Sequence, residues 1–359
     1  MSRIALDLRM LVEPPDGVSR YSLELLRRLP ALLPRHDLCG RGEPAAIHPE
    51  LPEARVLPAR SRPVSTGELL ELAWLMHHHD VDLFHGTLFS APPLGYRSYL
   101  LTIHDAIYVS VPELYGRRMR LYFETAVRFF AKRAQALLTV SEFSRRELEL
   151  HLGIPAERIE VIPNGIDPRF RPVPAEEIHR VRERLALPEE YLLYVGGFVP
   201  HKNVPFLLRS YARVKDAPPL VLCGRHPERV RPEVVRCGLA TRTIVLPGQG
   251  HDTLPALYSG AQAFLFPSRY EGFGLPPLEA MACGTPTIVS DAGSLPEVTG
   301  GAALTFPLDD EGALVGRIHE LLQSRERRAE LSSAGRAHAA RFRWDECARR
   351  VAAVYQRFV

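Results

Sequence analysis

The chain has 359 residues, 46% of them hydrophobic and 24% charged, which is an ordinary globular balance and enough length for two domains with a core each. Lysine and arginine number 45 against 42 aspartates and glutamates, and a net charge of +3 is too mild to argue for nucleic acid as a partner. The five cysteines are odd in number, lack paired metal-ligand spacing and point to a reducing cytoplasm.

Residues 1–6 run straight into a strand over 3–10 with no secretory signal ahead, and no apolar run reaches membrane-spanning length. The glycine loop Pro14-Pro-Asp-Gly17 opens an amphipathic helix over 18–29. Short apolar runs predict strands at 81–84, 99–103, 136–140 and 159–162, with helices near 114–133 and 142–152 between them. His77-His78-His79 before Asp80 reads as a solvated helix end, because metal ligands need convergent geometry. Ser141 is placed as a helix cap, with Ser144 and Arg145 at a cleft edge. Turn residues at 163–168 and a Pro- and Arg-rich stretch to 174 then break the rhythm. The alternation restarts with strands at 191–195, 220–223, 243–246, 263–266 and 287–290, and further helices lie at 325–340 and 344–358. This is an α/β chain of two doubly wound, Rossmann-like domains, 1–168 and 169–343.

Four stretches carry chemistry. Arg269-Tyr-Glu-Gly-Phe-Gly-Leu-Pro-Pro-Leu-Glu-Ala-Met-Ala-Cys-Gly-Thr-Pro follows a buried strand as a glycine loop and then a helix closed by Gly284. Gly272 and Gly274 let backbone approach a ligand, the N–H groups of the helix start favour an anion, and Glu271 and Glu279 offer paired acceptors for sugar or ribose hydroxyls. The plainer alternative is two favourable charges at the positive end of a helix dipole. Strand 191–195 runs into Gly196-Gly197 and then His201 and Lys202, where an open α/β sheet puts its ligand; Lys202 is one of three lysines beside 42 arginines. Gly248-Gln-Gly250-His251-Asp252-Thr253 imitates half of a dinucleotide fingerprint, but Thr253 takes the third glycine position and Glu271 lies beyond the next strand. His104-Asp105 ends a buried strand at its carboxyl end, placed to face a cleft.

The Arg269–Pro286 block closely resembles the signature of the retaining glycosyltransferase family called group 1 or family four, whose GT-B fold sets two Rossmann-like domains about a central cleft. The resemblance covers nearly the whole chain and is weakest over 31–75. It implies that Glu271, Gly272, Phe273, Gly274 and Leu275 hold the donor sugar and its phosphate, and that Glu279 holds the ribose. Lys202 then lies on the donor diphosphate beside Gly196 and Gly197, His104 touches the transferred sugar, and Gly17 borders the diphosphate and the acceptor. Gly250, His251 and Asp252 line the nucleotide base, with Gly224 and Arg225 as another wall. Where many members carry arginine this chain has Gly197 and His201, so the second cation on the diphosphate is a protonated His201 or an arginine from elsewhere. The final helix, 344–359, is expected to return to the N-terminal domain.

The activity this resemblance implies is that of a retaining, metal-independent hexosyltransferase without a cofactor. Overall likeness to bacterial polysaccharide mannosyltransferases selects mannose from GDP-mannose, passed to a glycan or lipid-linked acceptor. The alternatives are another GT-B enzyme, a phosphorylase or epimerase, and a catalytically silent sugar-binding paralogue. The basic and aromatic helix near 114–133 reads as an ordinary amphipathic helix with solvated arginines. The expectation is therefore a cytoplasmic protein with at most salt-sensitive, peripheral contact at the inner membrane.

Overall fold

The computed structural model describes residues 2–9, 11, 17–49, 51–59, 61, 65–89, 91, 98–250 and 252–359. It forms two compact units, Met1–Gly165 with Arg343–Val359, and Ile166–Phe342. The sequence places the divisions at 168 and 343; the chain leaves the first unit after Gly165 and returns to it at Arg343.

In the first unit the described strands are β1 (Arg3–Asp7), β2 (Asp37–Gly42), β3 (Arg55–Pro58), β4 (Leu83–Gly86), β5 (Tyr99–Thr102), β6 (Ala136–Thr139) and β7 (Ile159–Val161). They pair in parallel in the order β3-β2-β1-β4-β5-β6-β7. Alternate side chains serve opposite faces. Ala5, Phe84, Leu101 and Leu137 join one core with the helices Thr66–His78 and Glu142–Leu152. Leu6, Leu83, Leu100 and Leu138 join the other with Gly17–Leu32 and Trp344–Tyr355. The last helix is fastened by Arg28, whose Nε donates to Asp345 Oδ1 at 2.8 Å, and by Arg350, whose Nη2 donates to the Val161 carbonyl at 2.6 Å.

Three expectations need amendment. Strands β2 and β3 do not stand out in the sequence, because β2 reads Asp-Leu-Cys-Gly-Arg-Gly and its Arg41 is wholly buried. The helix near 114–133 is two α-helical pieces, Arg117–Tyr122 and Arg128–Arg133, joined through a π-helical turn at Phe123–Val127. Phe123, Val127 and Phe130 are buried while Arg117, Arg118, Arg128 and Lys132 are exposed, the division an amphipathic helix requires. Ser144 is buried and its Oγ donates to the His104 carbonyl at 2.9 Å, and Arg145 pairs with Glu142, so Ser144 braces the His104 strand end from inside rather than lining an edge. As expected, Ser141 caps its helix and the His77–His79 run ends one. Among the described residues no group of three or more side chains is arranged to hold a metal.

The second unit repeats the plan with β8 (Leu192–Val195), β9 (Leu220–Gly224), β10 (Thr243–Pro247), β11 (Ala263–Phe266), β12 (Thr287–Ser290) and β13 (Leu304–Phe306), ordered β10-β9-β8-β11-β12-β13 and all parallel. In both sheets the winding reverses between the first strand and the fourth. The reversal leaves a crevice at the carboxyl ends of β1 and β4 in one unit, and of β8 and β11 in the other.

Candidate active site

The crevice of the second unit is built by the loops that leave β8 and β11. After β8 come Gly196 and Gly197, a single tight turn at Pro200–Lys202, and the helix Val204–Ala212. After β11 the loop from Ser268 reaches Gly274, whose φ of 101° starts the helix Leu275–Ala282. Lys202 and Glu271, 69 residues apart, meet here: Nζ donates to Oε1 at 2.6 Å, with side chains 16% and 11% exposed. Ser268 Oγ donates to the same Oε1 at 2.6 Å, and the Arg269 N–H donates to the His201 carbonyl at 2.7 Å, so the two loops are fastened together. Lys202 Nζ also lies 5.2 Å from the centre of the Phe266 ring, within cation–π range.

The carboxylate loop is held from behind by residues 293 and 294. The Ser294 N–H donates to the Glu271 carbonyl at 3.1 Å, and Ser294 Oγ donates to the Phe273 carbonyl at 2.7 Å. Residue 293 must be glycine for two reasons: its φ is 64°, and a Cβ would stand 2.8 Å from the Glu271 nitrogen. Gly224, at the end of β9, faces a similar demand, since a Cβ there would run into the Gly196 carbonyl oxygen.

Glu279 lies one turn into the helix, and the Tyr258 hydroxyl donates to its Oε2 at 3.2 Å. Burial, and then Glu279, push the Tyr258 phenol well above its usual range, so it stays protonated as a donor. Gly272, Phe273 and Gly274 are buried at the helix start, with Leu275 half-buried as its first residue. Gly250 and Asp252 are exposed on the loop after β10, and Asp252 Oδ1 stands 3.8 Å from Arg169 Nη1. Arg225 is half-buried beside Gly248. His251 lies outside the described residues.

His201 does not supply the second cation in this state. Burial, and then the neighbouring Lys202, pull its imidazole down to about 4, so it is neutral near pH 7. Gly197 has open space, its nearest prospective neighbour being Val199 Cγ2 at 3.8 Å.

His104 and Gly17 belong to the first unit. Gly17 is the exposed first residue of the helix Gly17–Leu32. His104 follows β5, with Nε2 donating to the Thr87 carbonyl at 3.0 Å and the Tyr21 ring edge-on at 4.9 Å between centres. At the crevice of this sheet lies a charge cluster the sequence does not announce. Arg9 Nη2 is 2.5 Å from both Asp7 Oδ2 and Glu68 Oε1, and Arg41, fully buried, stands 3.3 Å from Glu71. Burial opposes ionisation of Asp7, but Arg9 outweighs it and holds the carboxyl below its usual range. Single charges spread over residues 7 to 71 carry no spacing signal, and neither do Ser268 and Tyr258, whose partners are set only by the fold.

Known proteins resemble this chain in both of its halves. Residues 175–338 match the sequence model for glycosyl transferases of group 1, and residues 15–170 match that for glycosyltransferase family 4. The O-antigen chain mannosyltransferase B of Escherichia coli is 31% identical over 361 residues, covering 93% of this chain and 94% of its own. The serotype-specific mannosyltransferase WbdA of Escherichia coli is 31% identical over 225 residues, which are 59% of this chain and 28% of that longer one. Among solved structures, sucrose-phosphate synthase from Thermosynechococcus elongatus superposes with a TM-score of 0.80 at 23% identity, covering 99% of both chains.

Proposed function

We propose that this chain, which belongs to the group 1 and family 4 glycosyltransferases of GT-B fold, is a retaining mannosyltransferase that uses GDP-mannose and needs no metal. The observation that carries the reading is the Lys202–Glu271 pair at the crevice between β8 and β11, beside the N-terminus of the helix Leu275–Ala282. An ammonium and a set of backbone N–H groups suit a diphosphate that gains charge as it leaves, and a carboxylate beside them suits the hydroxyls of the sugar being transferred. Lys202 and the helix start then do the work that a metal ion does elsewhere. Glu279, oriented by Tyr258, accepts from the ribose, and the loop bearing Gly250 and Asp252 lies along the base, with Gly224 and Arg225 opposite. The leaving diphosphate takes the proton of the incoming hydroxyl on the same face, which preserves the configuration of the sugar. The mannose donor is supported by the names of the relatives, two of which are O-antigen or serotype-specific mannosyltransferases.

The acceptor is a hydroxyl of a growing glycan or lipid-linked saccharide, met at a membrane surface. Five of the six large hydrophobic side chains found exposed among the described residues (Leu70, Trp74, Leu121, Phe129 and Leu150) lie on helices covering one face of the first sheet. Arg117, Arg118, Arg128 and Lys132 are exposed on the same layer, and Glu124, the acidic residue of that helical stretch, is paired with Arg120. Such a face gains about 1 kcal/mol per basic residue near anionic lipid. No described helix is long and apolar enough to cross a membrane.

The test is a panel of nucleotide sugars with chelator present and absent, read by release of nucleoside diphosphate. Turnover of GDP-mannose, insensitive to chelator, with an anomerically retained product is expected. Preferential turnover of a uridine-linked hexose overturns the donor assignment, and tight binding without any turnover favours the silent sugar-binding paralogue. Co-sedimentation with anionic vesicles at low salt that is lost at high salt is the expected membrane result; failure to pellet at low salt refutes the surface.

A further inference from the structure

Four buried polar side chains form a file through the first unit. Tyr355, near the end of the last helix, holds its hydroxyl 2.6 Å from His85 Nδ1. His85, on β4, holds Nε2 2.8 Å from Thr102 Oγ1 on β5, and Thr102 Oγ1 lies 2.9 Å from the Tyr21 hydroxyl on the helix Gly17–Leu32. All four are at most 1% exposed. The file ends against His104, whose ring meets Tyr21 edge-on at 88°. The next residue along that helix completes the seat: Ser22 Oγ donates to Thr87 Oγ1 at 2.7 Å, and the Thr87 carbonyl accepts from His104 Nε2 at 3.0 Å. That bond requires a proton on Nε2 of His104, since a carbonyl oxygen only accepts.

We propose that Tyr21, Thr102, His85 and Tyr355 are positioning residues for His104, fixing its ring so that docking of the last helix sets the geometry of the site. This rests on the glycosyltransferase reading above and on the contact of His104 with the transferred sugar that the family resemblance implies. A buried hydroxyl or imidazole without a partner is costly, so these four elements are held in the one arrangement that pairs every group. A neutral imidazole has one N–H and one lone pair, so His85 donates to one hydroxyl and accepts from the other, giving the file a direction. Burial first, and His104 second, pull His85 down to about 3, so it keeps that neutral form at physiological pH. The Tyr21 hydroxyl is anchored on Thr102, and without that bond nothing directional would hold its ring against His104.

Single hydroxyl deletions test this with little change in packing. Tyr355→Phe and Tyr21→Phe are each made in the wild type and in a His104→Ala background, and kcat and donor KM are measured in all. In the wild type each is expected to lower kcat about tenfold with donor KM unchanged, as a displaced contact group does. In the His104→Ala background neither is expected to lower kcat further. Equal losses in both backgrounds, or no loss in the wild type, overturn the positioning role while leaving His104 itself in place. Full turnover by His104→Ala alone would instead remove His104 from the site, and the positioning role with it. Ring nitrogen shifts of His104 give a second readout: Tyr355→Phe is expected to move them, and unchanged shifts overturn the proposal even where activity falls.

Discussion

Glu271→Gln separates two roles that the structure joins in one contact. In the free protein Lys202 Nζ rests on Glu271 Oε1 at 2.6 Å, both side chains being mostly buried. At an effective dielectric of about 20 that is roughly 6 kcal/mol of gross attraction, most of it offset by desolvation of the two ions. Glutamine keeps the shape and an oxygen that Lys202 and Ser268 can still donate to, so the net loss is about 1–1.5 kcal/mol. That loss falls on the unliganded state, where Lys202 must leave Glu271 to reach a diphosphate. The substitution is therefore expected to tighten nucleoside diphosphate binding, by up to about tenfold. The same carboxylate is expected to act on sugar hydroxyls as the transition state forms, so turnover falls on the order of a hundredfold. Titration calorimetry with the nucleoside diphosphate, beside steady-state transfer rates, reads both quantities. Affinity and turnover falling together would refute the reasoning, and so would unchanged turnover.

Lys202→Ala is expected to weaken binding of the diphosphate far more than of the monophosphate and to slow transfer by about a hundredfold or more; equal affinity of the wild type for the two nucleotides would count against the role. Gly293→Ala forces a side chain onto a φ of 64° and against the Glu271 nitrogen; thermal unfolding is expected to show a loss of about 1–3 kcal/mol and transfer assays a lower kcat, and an unperturbed variant would show that this brace does not matter. His85 and His201 have folded values pulled down to about 3 and about 4, below the unfolded value near 6.5. The unfolded chain therefore binds more protons across that window, so stability is expected to fall as pH drops from about 6.5 toward 3. His85→Gln should flatten that fall in urea denaturation midpoints, and an unchanged slope would refute the buried neutral state.

The second sheet shows what a linear reading can see. Ala263–Phe266, the glycines after it and the prolines at 276 and 277 mark strand, loop and helix by local chemistry alone, and the structure has them there. Glu271 and Lys202 are each legible as candidates, but their contact is a product of the β8–β11 pairing, which no spacing encodes. Strand β2 shows the opposite case. Its Arg41 looks like a loop residue and is fully buried, because Asp7 and Glu71 from other segments compensate the charge. His201 shows a third limit: its charge state depends on burial and on Lys202, both set by tertiary structure.

The first unit is written in two pieces of chain, with the whole of residues 166–342 between them. On the ribosome, residues 1–165 emerge without the helix that covers Ile4, Leu6 and Leu25, whereas the second unit is one continuous segment that completes itself. At typical synthesis rates those 177 residues take roughly 10–35 s to be made. The nascent first unit is expected to wait through that interval with one face of its sheet covered by the helix Gly17–Leu32 alone and with Tyr355, one of the two partners of His85, not yet made. Its sensitivity to chaperones and aggregation should therefore belong to the unfinished chain, and a truncation ending near residue 342 should show it most strongly.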